Sequence, residues 1–173
     1  MDNKSDGYRN FWEYISQNQK DLIMEGEYLL RFFSEETKMD RFRDYSFLVF
    51  PFAKAYEGFL KKLFLDVKFI SHLDYISDHL RLGKLMSPNL VDRLGDRSLY
   101  KQIKEKTTKE FVEKVWMTWK MGRNQIFHYF PHNVKAISYK EACDIVNQII
   151  QTMEEAYTRL KMQNANLKPQ NEI

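Results

Sequence analysis

Scarcity of glycine and proline is the feature of this sequence that most restricts its fold. Six glycines and four prolines occur among 173 residues, about half their usual frequency in proteins. Sheet folds need a turn after every few residues, and those turns depend on glycine and proline. No stretch alternates apolar and polar residues as a half-buried strand does. The sequence therefore predicts an all-α fold of long helices, and it argues against sandwiches, barrels and glycine-rich nucleotide-binding folds.

The first half of the chain carries signals for two main helices. We predict a first helix from Asp6, as its N-cap, to about Ser34, followed by a charged connector over residues 35–43. A strongly apolar second helix is predicted over about 45–69, opened by Asp44. Pro51 lies near the start of this second helix, where it either introduces a kink or marks the first turn.

The second half predicts two more main helices after an irregular stretch. Residues 70–106 are interrupted by glycine, serine and proline, so short helices and loops are expected there. Thr107 or Thr108 caps a third helix that approaches Gly122. A capping box, Ser138 with Glu141, opens a last helix to about Met162. Its apolar stripe repeats every three or four residues and contains Ala142, Val146, Ile149, Met153, Ala156 and Leu160. The result is an up-and-down bundle of about four main helices with short extra ones.

Composition limits the class of protein further. With 43% hydrophobic residues, a chain of this length builds one core, so residues 1–173 are predicted to be a single domain with a frayed tail from about residue 163. Its single cysteine excludes a disulfide framework and a cysteine-rich zinc site. The formal charge of +3 permits a nucleic-acid substrate. Neither an apolar membrane span nor a signal peptide is recognisable, so we expect a cytoplasmic protein.

A carboxylate interrupts an apolar lane on the predicted second helix. At helical spacing the lane consists of Phe50, Ala53, Glu57, Leu60, Phe64 and Val67. Burying a lone carboxylate is costly unless it finds a cation and hydrogen-bond donors, so Glu57 predicts a partner. Two structural alternatives remain open: an internal salt bridge, or a register that leaves Glu57 at the edge of the lane. Lys54 and Lys61 are spaced to pair with it on the helix surface.

The segment Arg123-Asn124-Gln125-Ile126-Phe127-His128 combines residues that suit phosphodiester chemistry. Imidazole titrates near neutral pH and transfers protons. Guanidinium stays charged and holds two phosphate oxygens. Arg123 and His128 are five positions apart, about 140° around a helix, so contact between them needs the arginine to curl toward the next turn. Asn124 offers donors and an acceptor to the phosphate or the imidazole.

Aromatic and basic residues flank this segment. The aromatic ones are Trp116, Trp119, Phe127, Tyr129 and Phe130. The basic ones are Lys114, Lys120 and Lys135. Aromatic faces beside cations are typical of single-stranded RNA binding, but aromatics at helical spacing are also typical of a core. The remaining histidines, His72, His79 and His132, are predicted to lie at the surface, and Cys143 is not expected to be a nucleophile.

Together these features resemble the HEPN superfamily of ribonuclease domains, whose motif is an arginine followed after four to six residues by a histidine. The run from Ala55 to Phe64 around Glu57, with Arg123 66 residues after Glu57, resembles the catalytic domain of RnlA/RNase LS-type toxins. The resemblance covers about residues 45–157. It implies that Glu57, Arg123 and His128 act together, with Asn124 beside them.

The resemblance further implies a metal-independent endoribonuclease that needs no cofactor and serves as a toxin or antiphage effector. It implies a homodimer with both motifs facing one cleft, and a cognate antitoxin protein as a further partner. We expect weaker RNA contacts from Lys54, Lys120 and Tyr129. A non-catalytic helical module that binds RNA or a protein, and keeps the motif only as a structural pair, is the alternative.

Overall fold

The computed structural model describes residues 3–34, 41–128 and 136–162, and over these ranges the fold is an all-α bundle without a strand. The predicted fold class is thus confirmed. Helices of eight or more residues are α1 (Asn3–Tyr14), α2 (Gln17–Phe33), α3 (Ser46–Asp66), α4 (Leu99–Lys106), α5 (Lys109–Trp119) and α6 (Tyr139–Ala156). Between α3 and α4 lie the short elements His72–Tyr75, Leu82–Leu85, Pro88–Leu90, Val91–Leu94 and Gly95–Arg97, as expected for residues 70–106. The predicted tail from residue 163 and most of the 35–43 connector fall outside the described ranges.

Helix α3 is the centre of the bundle. It packs against α2 on one side and α6 on another, and it buries eleven of its residues, among them Phe52, Phe59 and Phe64. Each such side chain contributes about 1.5–3 kcal/mol when it leaves water. Pro51 lies in the second turn of α3 rather than marking its first turn, because the helix already begins at Ser46.

The predicted first helix is in fact two helices, and Asp6 lies inside α1 instead of capping it. The chain breaks at Ser16, whose hydroxyl accepts the Gln19 amide proton while the Gln19 side chain accepts from the Ser16 amide. This capping box satisfies the free donors at the start of α2, so a new helix begins there. Gly26 is buried, and a Cβ atom on it would clash with the Phe52 ring. The close approach of α2 to α3 therefore requires this glycine.

The last helix agrees with its prediction. Ser138 and Glu141 form the expected capping box, and all six residues of the predicted apolar stripe are buried. A hydrogen bond of 3.0 Å between the hydroxyls of Thr118 and Thr152 joins α6 to α5 inside the core. The buried Tyr56 hydroxyl donates to the Val115 carbonyl and so joins α3 to α5.

The third helix is capped by Thr108, as predicted, but it does not end near Gly122. Helix α5 continues into a π-helical turn, Lys120–Asn124, and a last short helical turn, Gln125–Phe127. The Gln125 amide donates to the Lys120 carbonyl five residues earlier, which defines the π-turn. Gly122 is buried against α6, where an added Cβ would lie 2.9 Å from Ile149 Cδ1. The glycine thus serves a close helix contact and not a helix end.

Among the described helices, none combines the length and the apolar character that crossing a membrane requires.

Candidate functional site

Glu57 and Arg123 form an ion pair between α3 and the π-turn. Arg123 Nε donates to Glu57 Oε2 at 3.0 Å, across 66 residues of sequence. Lys61, one turn along α3, places its Nζ 3.2 Å from Glu57 Oε1. The two carboxylate oxygens of Glu57 therefore each face a cation. The prediction that Glu57 has a cationic partner is confirmed, and its long-range partner is the arginine of the predicted motif.

The apolar lane on α3 runs from solvent into the core, and Glu57 lies at the boundary. Phe50 is 51% exposed, whereas Leu60 and Phe64 are fully buried. The Glu57 side chain is 28% exposed and that of Arg123 is 38% exposed. Of the two structural alternatives, both hold in part, since the carboxylate is paired with a cation and also lies at the edge of the lane. A half-exposed pair of this kind remains accessible to a ligand.

An open groove of about 340 Å³ begins at this ion pair. It is lined by Phe50, Ala53, Lys54, Glu57, Arg123 and Phe127. The rings of Phe50 and Phe127 meet edge to face with their centroids 5.5 Å apart, and both remain partly exposed. Lys54 lies in the groove without an ion-pair partner in the described part of the chain, so the predicted pairing with Glu57 is made by Lys61 alone.

Arg123 is held from two sides. Its guanidinium carbon lies 5.3 Å from the centre of the Trp119 ring, one helical turn earlier, in a cation–π contact. Its Nε is taken by Glu57. The two terminal nitrogens donate no hydrogen bond within the described ranges. Since those nitrogens form the fork that grips two phosphate oxygens, the arginine is oriented by the protein and still has its anion-binding face free.

Trp119 is only 3% exposed. Of the two alternatives for the aromatic residues near the motif, it therefore belongs to the core and offers no face to RNA. Its ring nitrogen Nε1 is buried and has no hydrogen-bond partner within the described structure. This nitrogen would lie 2.7 Å from a Cβ on Gly83, so the short helix Leu82–Leu85 approaches the indole with bare backbone. The glycine allows Trp119 to lie beneath Arg123.

His128 follows the last helical turn and has an extended backbone, with φ −105° and ψ 126°. The regular helical geometry assumed for the Arg123–His128 spacing is therefore wrong, because Arg123 lies within the π-turn and the helix ends before His128. His128 is exposed and does not belong to the side chains that line the groove. The structure thus brings Glu57, Arg123 and Lys54 together. His128 lies just after the end of the motif helix, the continuous helical segment over residues 109–127.

The other predicted site residues lie in different surroundings. The side chain of Asn124 is near Gly83, where its Nδ2 would lie 3.7 Å from an added Cβ, and Asn124 does not line the groove. Lys120 is half-buried at the start of the π-turn. Lys114 is paired with Glu155 of α6 at 2.6 Å, so its charge is neutralised away from the motif, contrary to expectation. The predicted contacts of Tyr129, together with Phe130, His132 and Lys135, fall outside the described residues.

His72 and His79 are both exposed, as predicted. Cys143 is a free, half-buried thiol beside Tyr139, and burial together with a hydrogen bond to this thiol raises the pKa of Tyr139 to about 12. Within the described ranges no three His, Cys, Asp or Glu side chains are grouped to hold a metal ion.

Sequence reasoning missed two parts of the site. Phe50 and Ala53 were recognised only as members of an apolar lane, although their spacing from Glu57 already placed them beside its carboxylate. The contact of Trp119 with Arg123 was also missed, and its four-residue spacing within one helix was the available signal. The π-turn left no signal that we recognise in the sequence.

Searches of the chain against protein-family models, curated proteins and solved structures returned no match.

Proposed function

We propose that this protein is an endoribonuclease of the HEPN type, which acts as a toxin or antiphage effector. The resemblance of the Arg123–His128 motif suggests the class of reaction. One observation carries the proposal: Arg123 is fixed through Nε by Glu57, while its terminal nitrogens have no hydrogen-bond partner among the described residues and lie beside an open groove. A preorganised guanidinium of this kind stabilises negative charge that develops on a phosphate, because it pays little reorganisation during the reaction.

In the proposed reaction the 2′-OH of a ribose attacks the adjacent phosphorus. The new O2′–P bond forms as the P–O5′ bond breaks. A base removes the 2′-OH proton and an acid supplies a proton to the departing O5′, which leaves a 2′,3′-cyclic phosphate and a 5′-OH. His128 is assigned to this acid–base role, since imidazole exchanges protons near neutral pH. DNA lacks the 2′-OH and is not a substrate.

The other residues of the site are assigned supporting roles. Glu57 positions Arg123, which binds the phosphate. Lys54, unpaired in the same groove, adds a contact to a neighbouring phosphate, and the exposed rings of Phe50 and Phe127 offer faces for stacking of unpaired bases. Asn124 is assigned to orient the phosphate or the imidazole once RNA is bound, and Lys120 to a weaker RNA contact.

The proposal includes a homodimer, because one arginine and one histidine are a small set of groups for phosphoryl chemistry. A twofold axis through the Phe127 side of the groove would double the cations around one RNA strand. Phe127 is 38% exposed, as suits an aromatic residue at an interface core. Light scattering at the concentration used for activity should give the dimer mass. A fully active monomer would contradict this part of the proposal.

The test of the function is incubation of the purified chain with end-labelled RNA in the presence of EDTA. We expect cleavage products that carry a 2′,3′-cyclic phosphate and a 5′-OH. An RNA of the same sequence with 2′-deoxyribose at the cleaved position is the matched control and should stay intact. Cleavage of the deoxy control, or dependence on added metal, would contradict the mechanism.

A non-catalytic RNA- or protein-binding module is the second candidate. Two observations favour it: Arg123 is engaged by both Glu57 and Trp119, as a structural arginine would be, and His128 is not among the groove residues. The same assay separates the two candidates. A module would bind labelled RNA, or leave it unbound, without cutting it at any concentration of protein.

A further inference from the structure

A second groove lies in the segment between α3 and α4, apart from the Glu57–Arg123 groove. It has a volume of about 370 Å³, and four basic residues contribute to its walls. They are His79, Arg81, Lys84 and Arg97. The only acidic residue among those that line it is Asp74. This concentration of positive charge is unexpected in a chain whose basic and acidic residues number 27 and 24.

The single carboxylate of this groove is already occupied. Asp74 accepts hydrogen bonds from the amide and the hydroxyl of Ser71, and Arg97 Nη2 lies 3.0 Å from its Oδ1. The hydrogen bonds from Ser71 are the main cause of a lowered pKa for Asp74, which therefore stays ionised and bound to its own partners. Asp74 thus balances Arg97 and leaves the other cations of the groove uncompensated.

Arg81 and Lys84 are those uncompensated cations. Neither has an acidic partner within the described ranges, whereas Lys61, Lys62, Lys101, Lys114 and Lys161 each contact a carboxylate. Arg81 Nη1 donates to the Asp78 carbonyl at 2.7 Å, which orients the guanidinium without neutralising it. Four of its five donors remain for a ligand. An oriented guanidinium beside an unpaired ammonium is an arrangement that recognises phosphate.

The short helix Leu82–Leu85 links this groove to the motif helix. Gly83 meets the Trp119 indole with its bare backbone and lies near the Asn124 amide. Lys84, the next residue, lines the basic groove. Trp119 in turn contacts Arg123. The two grooves are therefore connected through one chain of contacts, from the short helix Leu82–Leu85 through the Trp119 ring to Arg123.

We propose that the basic groove at Arg81 and Lys84 binds phosphates of a single-stranded RNA whose cleaved bond lies at Arg123. The phosphate chemistry follows from the groove itself, and the choice of RNA as its source rests on the proposed function. The groove gives the protein a second grip on the strand away from the reacting bond. It determines how firmly the RNA is held and how many nucleotides the shortest good substrate must have.

The test measures binding of a fluorescein-labelled uridine oligonucleotide of about 15 residues by fluorescence anisotropy over a series of salt concentrations. The full chain carries His128→Ala throughout, so that the RNA is not cut. Adding Arg81→Gln and Lys84→Gln should weaken binding about tenfold, and it should lower the slope of log Kd against log salt by about 1.4, since each contact to a single strand contributes roughly 0.7. Circular dichroism verifies that the fold is unchanged.

The matched control exchanges Lys104 and Lys106 for glutamine. Both lysines are exposed on α4, have no acidic partner within the described ranges and do not line the groove. This control should leave the salt slope as it is. If both double variants weaken RNA binding equally, the effect is one of net charge and the proposal is overturned. Unchanged RNA binding in the Arg81/Lys84 variant would also overturn it. The single variant Lys84→Gln, with an expected loss of about threefold, serves if the double variant does not fold.

Two further measurements distinguish this proposal from a site for a free anion and from a failure of the proposed function. If inorganic phosphate binds in a way that requires Arg81 and Lys84, while the oligonucleotide binds equally well to the parent and to the Arg81/Lys84 variant, the groove is a site for a free anion and the RNA assignment is overturned. Cleavage is measured separately on the chain with His128 intact. If RNA is not cut although binding depends on Arg81 and Lys84, the proposed function fails and the groove stands; if RNA is cut without that dependence, only the groove proposal fails.

Discussion

Two carboxylates on α3, those of Glu57 and Asp66, each have cations around them. They differ in whether those cations are fully engaged by the protein or also face an open groove. Glu57 and Asp66 are nine residues apart, which places them about half a turn from each other around the helix. Asp66 Oδ2 receives the Tyr14 hydroxyl at 2.8 Å, Lys161 Nζ at 3.1 Å and Lys62 Nζ at 3.3 Å. These donors come from α1, from the π-helical turn Tyr157–Met162 that follows α6, and from α3 itself. Asp66 therefore ties three segments together.

The Glu57 pair has the opposite character. Among the described residues, only Arg123 reaches Glu57 from another element, and there it donates through Nε while neither terminal nitrogen has a partner. Beside it an unpaired lysine and two exposed rings line a groove. A partly buried carboxylate needs a cation nearby, and both Glu57 and Asp66 have one. The presence of an ion pair therefore does not by itself indicate a function. The difference is that the cations around Asp66 are bound to the protein, whereas Arg123 and Lys54 at the Glu57 site line an open groove.

Electrostatics at Asp66 agree with a structural role. Burial by itself would raise the pKa of Asp66, but hydrogen bonds from Tyr14 and Lys161 and the charge of Lys62 outweigh it and lower the pKa. The same contact acts on its partner: burial first, and then the hydrogen bond to Asp66, raises the pKa of Tyr14. The ionised form of Asp66 is thus favoured by folding.

The largest effect is expected from His128→Ala, which tests whether the Glu57 site performs chemistry at all. General acid–base residues contribute about 10²–10⁴ in rate, so cleavage of end-labelled RNA should fall by that factor. Helix content and the free energy of unfolding should stay at the parent values, because His128 is exposed. Cleavage within a few-fold of the parent would remove His128 from the mechanism.

The second prediction compares Glu57→Gln with Asp66→Asn, which are matched removals of one charge. Glu57→Gln should lower RNA cleavage at least ~10-fold, because Arg123 loses its orientation, while the free energy of unfolding changes by less than about 1 kcal/mol. Asp66→Asn should lower the free energy of unfolding by about 1–2 kcal/mol and leave cleavage per folded molecule unchanged. Urea unfolding and initial cleavage rates measure the two quantities.

The opposite outcome of this pair is equally informative. If Glu57→Gln destabilises the fold as much as Asp66→Asn while activity per folded molecule is retained, then both pairs are structural. The distinction between the Glu57 site and the Asp66 cluster would not hold, and the non-catalytic alternative would gain support.

The third prediction concerns pH and the Asp66 cluster. Because folding lowers the pKa of Asp66, its contribution to stability is present above the ordinary value of 3.8 and is lost as the pH falls through the lower value in the folded protein. The difference in free energy of unfolding between the parent and Asp66→Asn should therefore be constant from about pH 7 to pH 5 and shrink below about pH 4. Urea titrations of both proteins over this range measure it. A constant difference down to about pH 2 would contradict the ionised role of Asp66.

The smallest effect is expected from Lys54→Gln, with Lys62→Gln as its control on the same helix. Lys54 lines the Glu57 groove and has no acidic partner among the described residues, whereas Lys62 is paired with Asp66. Lys54→Gln should weaken RNA binding a few-fold and lower the salt slope by about 0.7, as one lost phosphate contact would. Lys62→Gln should leave both unchanged. Equal effects of the two variants would assign RNA binding to net charge and not to the groove.

Local rules account for most of the fold that the sequence predicted. Capping boxes and helical spacing act within four residues, so the Ser138 box and the buried stripe of α6 were readable directly. The break at Ser16 was readable by the same rule but was overlooked, because the apolar spacing continued across it. The need of Glu57 for a cation was also a local inference, made from one polar residue among apolar neighbours.

The tertiary structure decided which cation meets Glu57 and what remains free. Pairing across 66 residues depends on how α3 lies against the motif helix, and no local spacing specifies this. The π-turn at Lys120–Asn124 adds a residue to one turn and changes the direction in which Arg123 points. His128 lies beyond the helix end, so its place follows from where the helix stops. Hydrogen bonds between neighbours determined the helices, whereas packing between distant ones determined the site.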